Sequence, residues 1–298
     1  MKCLLKYSGF ILLIFSVNCA SSAVPRQSEV SNQPSASIQT ETKDEPKQMN
    51  DIYVQADSLS EGDYSVIKLK KKVKIEETPD LTEVSYAVLK RKNKVLVKFD
   101  GVYFGLGNAT DFGLFSFLGE NDRQLVVSQT IPRGGRHWIV DLSPDLRIIY
   151  DSADYSVGRE DLSIYDIDGD GRFEVLQEDT AFYGFDGFSM AETPLPLVIF
   201  RYDEKAGKYL PANHLLKDYA LKNIDTQINK FTSGNNHKLS ELLDITLRYI
   251  YAGEEEKAWM FFESEYKQPD KEAVKSKVKA ILKRNAVYKF IYGKSKIK

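Results

Sequence analysis

Apolar and polar residues alternate in short runs over the first two thirds of the chain and recur at helical spacing in the last third, with the change of texture near Pro211. The segments YAVLKRKNKVLVKFDG, RHWIVDLSPDLRIIYDS and PLVIFRYDEKAGKYLP each read as strand, turn, strand, with turns at Lys92 to Lys94, Ser143 to Asp145 and Glu204 to Gly207. Between these hairpins lies an internal recurrence. Residues 114 to 130 superpose on 164 to 180 without gaps, placing Leu114 on Ile164, Phe115 on Tyr165, Gly119 on Gly169, Glu120 on Asp170, Gln124 on Glu174, Leu125 on Val175 and Thr130 on Thr180. A repeated unit of hairpin and further strand stacks into blades or layers, each unit burying a face on the next.

Past Pro211 the spacing becomes that of amphipathic helices. Leu239, Leu242, Leu243, Leu247 and Ile250 share one face; so do Ala258, Trp259, Phe262 and Tyr266, and then Val274, Val278, Ile281 and Leu282. Asp270 stands where the last of these helices needs an N-cap, and an earlier helix is expected near 212 to 229. The fold class this predicts is α+β: an antiparallel β region of propeller-like or layered blades over 51 to 211, then a small helical module over 212 to 298.

The chain opens differently. Lys2 and Lys6 precede the apolar run GFILLIFSV, which is too short to cross a hydrocarbon core of about 30 Å and reads as an export signal over 1 to 19. Cys19 follows directly in SVNCASS, and the pattern resembles a bacterial lipoprotein signal. That resemblance implies cleavage before Cys19, acylation of its thiol and amino group, and a membrane anchor in the bacterial cell envelope. Cleavage after Ala23, with secretion or a periplasmic location, is the alternative. Residues 20 to 50, rich in Ser, Gln, Pro, Thr and Glu, have too little apolar surface to offset chain entropy and read as a disordered tether.

Composition removes several functions. The two cysteines are Cys3 and Cys19, so from residue 20 onward there is no disulfide framework, catalytic thiol or thiolate metal site. A net charge of −2 gives no global argument for nucleic acid. The three histidines, His137, His214 and His237, lack HExxH spacing, and neither a GxSxG elbow nor a glycine-rich phosphate loop occurs. GGRHW (134 to 138) reads as a turn feeding a strand, and YGFDGFSM (183 to 190) either packs its rings into a seam or lines a ligand pocket. The basic end, with Lys275, Lys277, Lys279, Lys283, Arg284, Lys289, Lys294, Lys296 and Lys298, is either a solvated face or a contact for anionic head groups or cell-wall polymer.

The densest chemistry is DIDGDGRFE, 166 to 174, set between the alternating runs LSIY and FEVLQ and therefore a loop between strands. It begins like an EF-hand loop, but the twelfth position, which needs a bidentate Glu, is Gln177. It resembles instead the acidic loop of FG-GAP and VCBS repeats in extracellular β-propellers. The resemblance implies calcium held by the side chains of Asp166, Asp168, Asp170 and Glu174 and the backbone carbonyl of Arg172. The sister loop at 116 to 124 lacks the first two carboxylates and is not expected to bind.

Independently of the family, carboxylates brought to about 4 Å repel by some kcal/mol per pair at an effective dielectric near 20, so a compact loop needs protons or a cation. Oxygen-only ligands suit calcium. A solvated Asp/Gly turn without metal is the other reading. Two function classes follow: an exported, lipid-anchored envelope binding or scaffold protein with a structural Ca2+, facing an unidentified envelope protein or glycan, or a secreted hydrolase acting on envelope carbohydrate.

Overall fold

The structure is a computed structural model that describes residues 54–74, 81–99, 109–119, 122–131, 134–143, 145–155, 157, 162–234 and 238–293. Among them are three four-stranded antiparallel sheets, each with its strands in chain order. The first is β1 (Val54–Glu61), β2 (Tyr64–Lys74), β3 (Leu81–Arg91) and β4 (Lys94–Phe99); the second is β5 (Ala109–Phe115), β6 (Gln124–Ile131), β7 (Gly134–Asp141) and β8 (Arg147–Asp151). The third is β9 (Ser163–Tyr165), β10 (Glu174–Glu178), β11 (Leu197–Asp203) and β12 (Lys208–Pro211). The three hairpins expected from the sequence are β3–β4, β7–β8 and β11–β12. The segments matched at an offset of fifty are the first hairpins of the second and third sheets, so the recurrence in sequence is a recurrence in architecture.

Alternation along the middle sheet explains why the sheets layer. Leu125, Val127, Trp138 and Val140 pack with Val66, Ala87, Leu89, Val97 and Phe99 of the first sheet. Their neighbours Val126 and Ile139 point the other way and join Val175, Val198, Phe200 and Tyr209 of the third. With a period of two, a strand apolar at every position buries both faces. The fully buried Trp138 also donates its indole N–H to Asp151 Oδ2 at 3.1 Å, while Arg136 lies over its ring and grips the same carboxylate at 2.8 and 3.1 Å. That paired charge is what allows an Asp at the end of β8 to sit buried.

The helices are α1 (Lys217–Ala220), α2 (Ile224–Ser233), α3 (Leu239–Tyr251), α4 (Glu255–Glu265), α5 (Lys271–Leu282) and α6 (Ala286–Gly293). Buried residues lie all around α3, which makes it the central helix of the module. The apolar faces expected for α3, α4 and α5 are the ones that pack inward. They enter the same hydrophobic cluster as the third sheet, so the switch from strands to helices at 211 is a change of texture within one core.

Three details differ from expectation. The helix expected near 212 to 229 is interrupted: Asn223 takes a left-handed conformation (φ 63°), ending the short α1 segment before α2 begins. Asp270 occupies the N-cap position of α5 without making a side-chain capping hydrogen bond. Beyond α5, which stops at Leu282, a further short helix follows: Asn285 starts α6 by accepting the Tyr288 N–H at 2.9 Å.

Candidate cation site

The acidic loop turns from β9 into β10, and its tightness follows from its sequence. Asp166 accepts the N–H groups of Gly169 (2.8 Å) and Gly171 (3.1 Å), Asp168 that of Asp170 (3.3 Å), and Asp170 that of Arg172 (2.8 Å). Gly169 and Gly171 have φ of 76° and 84°, the left-handed values glycine adopts without strain. The wrap brings oxygens of Asp166, Asp168 and Glu174 within 4.8 Å of one another. Glu174 is fully buried at the floor; Asp168 faces solvent.

The sister loop isolates what the charge is for. Gln124 Oε1 accepts the Phe117 N–H at 2.7 Å, and fifty residues on Glu174 Oε2 accepts the Ile167 N–H at 2.9 Å. Both side chains are completely buried, and each has a second atom, Nε2 of Gln124 and Oε1 of Glu174, with no hydrogen-bond partner. A neutral amide therefore performs the mechanical task, and the negative charge of Glu174 exceeds what the turn requires. The two loops are stitched together by Phe173 N–H donating to Phe117 C=O at 3.1 Å, which puts the acidic loop at the seam of two sheets.

Arg201 of β11 meets this charge. Its Nη2 lies 2.8 Å from Asp168 Oδ2 and 2.6 Å from Asp170 Oδ2, and its Nε lies 3.7 Å from Glu174 Oε1. Burial holds the Glu174 carboxyl above its ordinary pKa, with Asp168 and Asp170 adding to the rise and the Ile167 N–H and Arg201 opposing it. Asp170 is pulled below the usual range, first by the Arg172 N–H and then by Arg201. Of the five residues singled out in the sequence, Asp166, Asp168 and Glu174 converge. Asp170 stands beside them through Arg201, and Arg172 sends its guanidinium to Glu204 at 2.6 Å. An all-oxygen set with one buried carboxylate oxygen that lacks a hydrogen bond, Glu174 Oε1, fits a hard divalent cation such as calcium. Ile167 and Asp168 also line a cavity of about 540 Å³ together with His214, Lys217, Tyr219 and Lys222.

No family model and no curated protein matches the chain. Among solved structures, a GH32 beta-fructofuranosidase of Bombyx mori matches over 52% of this chain at 14% identity with a TM-score of 0.23. A mutant of that enzyme in complex with sucrose matches the same share at 13% identity and 0.24. The chain spans 35% of the length of these enzymes, and at such TM-scores the likeness carries no argument.

The other sequence candidates resolve differently. His137 is buried within β7, its ring nitrogen 2.9 Å from Ser128 Oγ, and Gly134 and Gly135 already belong to the strand. The rings of YGFDGFSM turn inward: Phe185 is buried, in contact with Phe182 and Phe188, around a tight turn in which Asp186 has φ 51°. Along α5, Lys275 pairs with Glu263, Lys277 with Asp186 (2.6 Å), and Lys275 and Lys279 lie over the Trp259 ring. Part of the basic run is thus internally partnered. Cys19, the tether, His237, Lys294, Lys296 and Lys298 lie outside the described residues. Among the described residues no helix is long and apolar enough to cross a membrane.

Arg201 was not legible as a site residue. Its nearest sequence neighbour in the cluster, Glu174, is on another strand, and an Arg in an alternating run signals only an outward-facing position.

Proposed function

We propose that this chain is a non-catalytic binding or scaffold protein of the bacterial cell envelope, anchored by acylated Cys19 and held off the lipid surface by residues 20 to 50. Its sheets act as propeller-like blades, and a structural calcium ion staples the seam between the second and third. The helical module and blade loops are the surfaces offered to an envelope protein or glycan. The observation that carries this reading is Glu174: a fully buried carboxylate whose structural task a glutamine performs fifty residues earlier, and which converges with Asp166 and Asp168. A buried charge without mechanical need is retained at a cost unless something of opposite sign uses it.

For a site of extracellular type, with a Kd of about 1 mM, 10 mM calcium stabilises by about 1.4 kcal/mol, raising the thermal midpoint by about 3 to 6 °C. Scanning calorimetry in calcium and in chelator reads this directly. Asp168→Ala removes the response. A midpoint indifferent to both additions overturns the calcium staple.

A further inference from the structure

We infer that Arg201 is a tethered counter-cation of the acidic loop, which a divalent cation must displace in order to bind. The inference rests on the calcium reading above and concerns what the chain itself places in the way. One guanidinium reaches Asp168, Asp170 and Glu174 together, two of the converging carboxylates and their neighbour. A metal coordinated by those oxygens and a guanidinium bonded to them would be two like charges at contact distance, so the arrangements exclude each other.

The sister sheet shows that the arginine belongs to the acidic loop and not to the blade. In the second sheet Gln124 pairs across the ladder with Asp141 of β7. In the third sheet β10 pairs with β11 as Val175 with Phe200, and Arg201 follows Phe200 as Glu174 precedes Val175. Where the loop position carries a neutral amide, the facing strand carries an acid; where it carries an acid, the facing strand carries the cation. Asp141 takes its cation from its own hairpin, Arg147 at 3.2 Å.

The exchange is mechanically easy. The side chain of Arg201 is 34% exposed and its partners Asp168 and Asp170 are 30% and 36% exposed, so the guanidinium swings into water without opening the core. Its backbone stays in the β11–β12 ladder opposite Leu210. Glu174 alone cannot move, being fully buried and held by the Ile167 N–H, and so the vacated place keeps its deepest ligand. The loop thus has two charge partners of different reach: an internal one always at hand, and an external one that wins only when its concentration is high.

Calcium chloride titrated calorimetrically into the full-length chain and into Arg201→Met tests this. The variant is expected to bind calcium at least tenfold more tightly and to melt earlier than the wild type in chelator, with Arg201→Lys falling between. In the wild type, the NMR signal of the Arg201 Nε–H is expected to shift to a solvent-exposed position as calcium saturates, a readout that needs no variant to fold. Equal or weaker calcium binding by Arg201→Met, or an unmoved Nε–H signal at saturation, overturns the inference and leaves the calcium reading standing. Absence of calcium binding by both chains overturns the calcium reading itself.

Discussion

Glu174 and Gln124 occupy one structural position with two charges, so exchanging them is the sharpest test at the level of a residue. Glu174→Gln keeps an acceptor for the Ile167 N–H and deletes the charge. Because burial raises the Glu174 carboxyl pKa, its stabilising contribution is complete below the ordinary Glu pKa and is lost as pH rises through the folded value. The variant is therefore expected to lose the calcium response while its midpoint in chelator equals or exceeds that of the wild type at pH 7, with the advantage gone at pH 4; melts across pH in both solutions check this. Asp166, Asp168, Asp170 and Glu174 were legible because they fall within nine consecutive positions. Arg201 was not, since its link to Asp170 spans 31 residues and depends on a strand register that no local pattern encodes.

At the scale of elements, hairpins and helical faces follow from periodicity, while the points where elements end depend on single side chains finding remote partners. Asp270 has the right identity for a cap and makes no capping hydrogen bond; Asn223 breaks a helix through a backbone angle, and Asn285 starts a further helix by capping it. The β1–β2 hairpin was obscured by the lysines of IKLKKKVK, although Gly62 at its turn, with φ 56°, is the residue type such a turn demands. The β7–β8 hairpin depends on a buried pair, Arg136 with Asp151, both side chains 8% exposed. Arg136→Met leaves the aspartate buried and is expected to cost about 3 to 5 kcal/mol, against far less for the exposed pair Arg172 with Glu204. Urea unfolding of Arg136→Met and Arg172→Met separates the two.

At the scale of the molecule, the decisive group is Asp179, fully buried just past β10 where sheet and helices share one core. It accepts the Ala181 N–H at 2.7 Å, the Asn285 amide at 2.6 Å and the Tyr251 hydroxyl, so one carboxylate ties the third sheet to α3 and to the start of α6. Asn285 serves both sides, capping α6 with its oxygen while its amide holds Asp179. Burial pushes the Asp179 carboxyl up to about 6, with the Tyr251, Ala181 and Asn285 donors opposing the rise. Its contribution is thus fully present below about pH 4 and is lost as pH climbs through about 6, a swing on the order of 3 kcal/mol. Tyr251→Phe removes a donor that favours the charged form, so its cost must grow with pH: about 1.5 to 3 kcal/mol at pH 7.5 and clearly less at pH 4.5, where the carboxyl is protonated. Because Asp179 belongs to sheet and helices alike, the loss is expected to lower a single transition detected identically by near-ultraviolet signals and by helical circular dichroism. Two separated transitions, with only the helical one moved, would show that the strands and helices fold as independent bodies despite their common core.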